Sequence, residues 1–118
     1  MEARVVHPDE SAEFDTPERC AILETWRDGE VTIARARVEP GVTTQLHSLD
    51  VDERYLIVSG RGVVSVGEVA PAEVGPGDNV GIPAGVAQRI ENTGDEDLVF
   101  YCVCTPPFRP DSYTALGD

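Results

Sequence analysis

Glycine and proline punctuate this chain at short, nearly even intervals, and that spacing limits what it can fold into more than any other feature. The junctions are Pro40-Gly41, Gly60-Arg61-Gly62, Gly75-Pro76-Gly77, Pro83-Ala84-Gly85 and Thr93-Gly94. Between them lie the runs Val31–Val38, Thr43–Leu49, Glu53–Ser59, Gly62–Gly67, Asn79–Ile82, Val86–Asn92 and Leu98–Cys104. Several are rich in Val, Ile and Tyr, side chains that suit a pleated, half-buried surface. Strand-length runs about 8–12 residues apart, with turn signals between them, predict an all-β sandwich or barrel. No segment carries a long helical period, and Glu18–Trp26 reads as either a strand or a short helix. The ends, Pro8–Asp15 and Pro106–Asp118, carry proline and acidic residues and are expected to extend over the surface.

The turns have individual logic. Gly60 and Gly62 flank Arg61, which suits a hairpin with a positive φ. In Gly75-Pro76-Gly77-Asp78, Pro76 presets φ and Gly77 is free to take the left-handed region. With 118 residues, the chain has room for one modest core and is expected to be a single domain, 1–118, with its barrel core at about 31–104.

Charge narrows the partners. The chain carries 9 basic and 22 acidic side chains, for a net charge of −13, and every basic residue is Arg. Such a surface repels phosphate backbones and anionic bilayers, so neither a nucleic acid nor a membrane is an expected partner. No apolar run reaches spanning length, and the start, MEARVVHPDE, lacks the basic and apolar regions of a secretory signal; a cytoplasmic location is expected. Three cysteines do not suggest a disulfide framework. Cys102 and Cys104 would share one face of a strand, and free thiols are expected there.

Two Gly-anchored stretches carry a more specific signal. GVTTQLHSLDVDERYLIVSG runs from Gly41 to Gly60, and GDNVGIPAGVAQRIEN from Gly77 to Asn92. They resemble the paired signatures of the cupin superfamily, G-x5-H-x-H-x3,4-E-x6-G and G-x5-P-x-G-x2-H-x3-N. Gly41, His47, Glu53 and Gly60 fall on the first pattern; Gly77, Pro83, Gly85 and Asn92 fall on the second. Leu49 stands where the first pattern has its second His, and Gln88 where the second pattern has its His. The resemblance covers roughly Val31 to Cys104 and implies a double-stranded β-helix, or jelly-roll barrel, with its pocket inside. It also implies a divalent metal, Mn, Fe, Ni or Zn, held by His47, Glu53 and Gln88, the matching positions available in this chain. Leu49 can ligate nothing, and a neutral amide oxygen is a poorer donor than imidazole. For Gln88 the alternative is a side chain that only hydrogen-bonds a ligand or His47.

Strand alternation places further candidates. Glu53, Tyr55 and Ile57 share one face, and Tyr55 is a candidate general acid or a packed aromatic. An interior Glu53 needs a metal, an Arg or several donors to stay ionised; Arg54 points to the opposite face. Arg35 and Arg37 would line the pocket if their face turns inward, but the alternation of Ala34, Ala36 and Val38 favours their lying outside. A thiolate at Cys102 or Cys104 would supply a soft ligand; as buried thiols they would act as small hydrophobes.

Three functions follow. The first is a metal-dependent enzyme of isomerase, lyase or dioxygenase type acting on a small polar organic molecule. The second is a non-catalytic module that binds or senses such a molecule through a degenerate metal site. The third is a metal-free barrel in which side chains transfer protons, with His47 as the interior base. A homodimer is expected, using the segment through Trp26 and the tail around Phe108 and Tyr113.

Overall fold

The computed structural model describes residues 1–118 and is built from eleven strands. In chain order they are β1 (Phe14–Asp15), β2 (Ala21–Arg27), β3 (Thr32–Val38), β4 (His47–Leu49), β5 (Asp52–Ser59), β6 (Gly62–Val66), β7 (Ala72–Val74), β8 (Asn79–Ile82), β9 (Gln88–Asn92), β10 (Leu98–Thr105) and β11 (Tyr113–Ala115). Two short 3₁₀ turns, Glu10–Ala12 and Pro110–Ser112, complete the regular structure. No helix is long and apolar enough to cross a membrane.

The strands form two antiparallel sheets ordered β1-β2-β3-β10-β5-β8 and β11-β4-β9-β6-β7. Facing each other, they make the jelly roll that the turn spacing predicts. β5 and β9 alternate cleanly, burying Glu53, Tyr55 and Ile57 on one and Gln88, Ile90 and Asn92 on the other. That period of two is what a strand with one wet face produces. The main core lies between the sheets and includes Ala36, Val38, Ile57, Val64, Ile82, Ile90, Leu98 and Phe100. A second, smaller cluster of Leu49, Val51 and Cys104 closes the other end, with Phe108 and Tyr113 packed on it.

The glycines act as expected, with one difference. Gly60 has φ +85° and Gly77 has φ +90°. Gly62 does not take a positive φ; it is required because a Cβ there would lie 2.6 Å from the Glu91 carbonyl oxygen on β9. Asn92 is 1% exposed. Its amide donates to the carbonyls of Val38 and Glu96, and its oxygen accepts from the Gly94 amide. One side chain thereby closes the turn between β9 and β10.

One expectation needs correction. Thr43–Leu49 is regular strand only from His47. Thr43 forms an isolated bridge to Glu91, and Thr44, not Thr43, is buried. The inward phase shifts because the Thr44 hydroxyl accepts from the Ile90 amide and the Gln45 amide donates to the Glu18 carbonyl, in place of a continuous ladder. The ends run over the surface, as expected, and each adds a short strand. Phe14–Asp15 pairs with β2, and Tyr113–Ala115 pairs with β4. Within the chain, Phe108 and Tyr113 pack on the cluster of Leu49, Val51 and Cys104. Of the run Glu18–Trp26, the part from Ala21 belongs to β2, with a bulge between Glu24 and Trp26, and Glu18 to Cys20 form the turn before it.

Arg35 and Arg37 lie outside, as the small-residue alternation favours. Arg35 pairs with Glu10 and Glu13, and Arg37 with Glu13 and Asp97. Those ion pairs fasten the segment before β1 onto β3.

Candidate functional site

The four candidates on β4, β5 and β9 converge inside the barrel. His47 is 5% exposed, Glu53 6%, Tyr55 3% and Gln88 0%. His47 and Gln88 are direct partners across β4 and β9. Glu53 and Tyr55 project from β5 on the facing sheet. All are buried because their strands alternate and these positions fall on the inner phase.

The buried groups form a hydrogen-bonded line. The Tyr55 hydroxyl donates to the Gln88 amide oxygen, and the Gln88 amide nitrogen donates to Glu53 Oε1 at 2.8 Å. The Cys104 thiol points to Glu53 Oε2 at 3.8 Å. Gln88 is thus committed on both sides, its oxygen to Tyr55 and its nitrogen to Glu53. Tyr55 turns its proton toward Gln88, and its ring packs on Phe100 with centroids 4.5 Å apart.

Burial pushes the Glu53 carboxyl up to about 7, against bonds from Gln88, Cys102 and Cys104 that favour the charged form; the nearby Glu18 carboxylate adds to the rise. Burial, reinforced by the Glu53 charge, pushes the Cys104 thiol up to about 12 and that of Cys102 well above its ordinary value. All three cysteines are free. Neutral thiols act here as small packing groups and weak donors, the second of the two roles open to them.

His47 is oriented from behind. Its Nδ1–H donates to the Gln45 carbonyl at 2.6 Å, because a carbonyl can only accept. Nε2 then faces Glu18 Oε2 at 3.9 Å. That gap is too long for a direct hydrogen bond. The Tyr113 ring lies nearly parallel to the imidazole, with centroids 4.7 Å apart and an interplanar angle of 14°. Its hydroxyl donates to Gln45 Oε1 at 2.7 Å.

Glu18 and Tyr113 escape a reading by motif because neither lies in a Gly-anchored stretch. Glu18 is carried by the turn before β2, which is tied across the barrel mouth. There Arg19 Nε donates to the Thr43 carbonyl, and the Gln45 amide donates to the Glu18 carbonyl. Arg19 has φ +73°, the one non-glycine residue in the left-handed region. Such a conformation persists where surrounding bonds over-determine it. The sequence signal for Tyr113 is faint: a lone tyrosine in a proline-rich tail.

The donor set does not fit the metal that the motif resemblance implies. No group of three or more His, Cys, Asp or Glu side chains is placed to hold an ion. Leu49 is packed in the small apolar cluster, and the Gln88 oxygen is taken by Tyr55. The interior also holds no cation of its own, since no Arg is buried. Of two surface clefts, of about 280 and 430 Å³, neither is lined by His47, Glu53, Tyr55 or Gln88, and the smaller borders the Glu18 turn at Thr16, Arg19 and Cys20.

Residues 34–104 match the sequence model of the cupin domain. The chain belongs to the cupin family. It is similar to an uncharacterised protein of Streptomyces coelicolor, 32% identical over 87 residues, which cover 74% of this chain and 81% of that one. The Streptomyces protein PAC13, solved with uridine, superposes with a TM-score of 0.82 at 18% identity, covering 99% of this chain and 93% of that one. The oxalate decarboxylase of Bacillus subtilis superposes with a TM-score of 0.79 at 19% identity, covering 98% of this chain and 33% of that one. At these identities the structural likenesses show the fold alone. The cupin barrel here is therefore common, and its interior chemistry has to be read from its own residues.

Proposed function

We propose that this cupin binds a small, uncharged or cationic polar organic molecule in its barrel and moves a proton on it without a resident metal, as an isomerase- or lyase-type enzyme. The observation that carries this reading is the opposed pair at the mouth. His47 Nε2 and Glu18 Oε2 face each other across 3.9 Å, with Glu53 deeper and no buried Arg. Two facing acceptors, with a carboxyl behind them and no cation, favour a ligand rich in O–H and N–H donors and disfavour an anion.

In this reading His47 is the base. Nε2 takes a proton from the bound molecule, and the imidazolium so formed is stabilised by Glu18 on one side and by the Gln45 carbonyl on the other. Returning the proton to a neighbouring atom completes an isomerisation; returning it to a departing group completes an elimination. A base backed by an orienting acceptor is the arrangement such chemistry uses. Tyr55 and Gln88 hold Glu53 in place and do not touch the ligand. This changes the part expected of Tyr55, whose proton already has an acceptor.

The solved neighbours supply contrasting probes: uridine, neutral and donor-rich, and oxalate, a dianion. Calorimetric titration of both into wild type and Glu18→Gln tests the charge preference. Uridine is expected to bind more tightly than oxalate, and Glu18→Gln to narrow the difference. Metal analysis of the untagged protein and of His47→Ala tests the rest. Near-stoichiometric Mn, Fe, Ni or Zn that disappears in His47→Ala would overturn the metal-independent reading and restore His47 and Glu53 as ligands. Binding without turnover of any neutral ligand would return the barrel to a sensing module.

A further inference from the structure

His47, Glu53, Tyr55 and Gln88 are all closed off from solvent, so a ligand reaches them only when a covering element moves. Two elements cover the mouth. The turn that carries Glu18 is anchored at several points: Arg19 to the Thr43 carbonyl, Thr16 to the Cys20 carbonyl through both backbone and hydroxyl, and the Gln45 amide to Glu18. It leads directly into Cys20, part of the main core.

The other cover is β11. It is three residues long, is the edge of its sheet and pairs with β4 alone. Thr114 and Ala115 are exposed, and Leu116 beyond them is 48% exposed. Its inward side chain is Tyr113, stacked on His47 and packed on the Leu49 cluster, and its flanks are tied by the Asp50 amide to the Ser112 carbonyl and the Leu116 amide to the Leu46 carbonyl. One side chain, Gln45, holds both the Tyr113 hydroxyl and, through its amide nitrogen, the Gly117 carbonyl.

We infer that the Tyr113 ring occupies the subsite for a planar group of the ligand, and that β11 is the movable cover that vacates it. The inference rests on the proposed reading of the barrel as a binding site for a neutral, donor-rich molecule, and it adds an uncharged planar ring as the ligand's recognition element. The imidazole keeps its place when Tyr113 leaves, because the Gln45 carbonyl and the pairing of β4 with β9 fix it independently of the tail. Its face is then bare, beside the Nε2 and Glu18 acceptors. A flat ring that takes over the stack recovers the contact given up by Tyr113. Ring substituents bearing N–H or O–H reach the two acceptors.

The test uses the full chain. Ser48 and Thr114 are direct cross-strand partners, so Ser48→Cys/Thr114→Cys can clamp β11 to β4 under oxidation and release it under reductant. Uridine and D-ribose are the probes, which share hydroxyls and differ in the planar ring. In the reduced protein, amides of β11 are expected to exchange about a hundredfold faster than those of β10. Oxidation is expected to slow that exchange and to lower the uridine association rate about tenfold or more. Ribose is expected to bind about tenfold more weakly than uridine. Tyr113→Ala, which needs no engineered disulfide, is expected to speed uridine association. An unchanged association rate in both the clamped protein and Tyr113→Ala overturns the cover. Equal affinity for uridine and ribose overturns the planar subsite, and in either case the barrel reading stands. If neither probe binds Tyr113→Ala, the barrel reading falls and this inference falls with it.

Discussion

Replacing Gln88 by Leu removes the amide that bridges the two sheets while leaving the volume of the side chain nearly unchanged. Two buried groups lose their partners: the Tyr55 hydroxyl loses its acceptor and Glu53 Oε1 its donor. An orphaned buried polar group costs about 1–3 kcal/mol, so the pair together come to about 4 kcal/mol. The apolar side chain offsets about 1 kcal/mol of this, which leaves a net loss of about 3 kcal/mol. Tyr55→Phe alone orphans only the Gln88 oxygen, at about 1–2 kcal/mol. In the double variant Tyr55→Phe/Gln88→Leu, only Glu53 remains unpartnered. It should lose about 2 kcal/mol, well short of the sum of the single losses. Urea unfolding of the four proteins at one pH, with midpoints converted through a shared slope, reads the cycle. Additivity within about 0.5 kcal/mol would refute the bridging role of Gln88 and reopen its oxygen as a free ligand.

Other outcomes follow from the same geometry. The Glu53 carboxyl rises from its ordinary value of 4.5 to about 7 on folding, so the folded state holds the extra proton across that window. Stability then declines by up to about 3 kcal/mol as pH rises from about 4.5 to 7 and levels off above it. Unfolding measured across pH should show this slope, and Glu53→Gln should flatten it. Asn92→Ala strands the Val38 and Glu96 carbonyls and the Gly94 amide, and is expected to lower stability by about 3 kcal/mol in the same denaturation assay. Gly60→Ala combines a φ of +85° with a Cβ 2.6 Å from the Asp97 carbonyl oxygen. It should lower the melting temperature by more than Gly41→Ala, where φ is +77° and nothing crowds the Cβ.

Much of the barrel is legible in the linear chain. Gly41, Gly60 and Gly77 all take a positive φ, a local requirement that glycine meets, so their spacing reports strand lengths directly. The inward phase of Glu53, Tyr55 and Gln88 follows from alternation alone. The phase fails at Thr43–Leu46, where bonds to the Glu18 turn and to β9 replace a continuous ladder. Nothing within those residues signals that competition. The state of Gln88 is hidden from the sequence in a similar way. His47 and Glu53 stand at the family's spacing, but whether Gln88 offers its oxygen depends on Tyr55, which approaches from the opposite sheet.

By itself, then, the sequence determined the fold class, the strand phase through β5 and β9, and the inward placing of His47, Glu53 and Gln88, because these rest on short-range geometry. Only the tertiary structure decided what those residues face. It brought Glu18 from before β2 and Tyr113 from the C-terminal tail against His47, and it turned Gln88 into a bridge between Tyr55 and Glu53. Those contacts join residues far apart along the chain, and their distances and the direction of each proton exist only once the two sheets have closed.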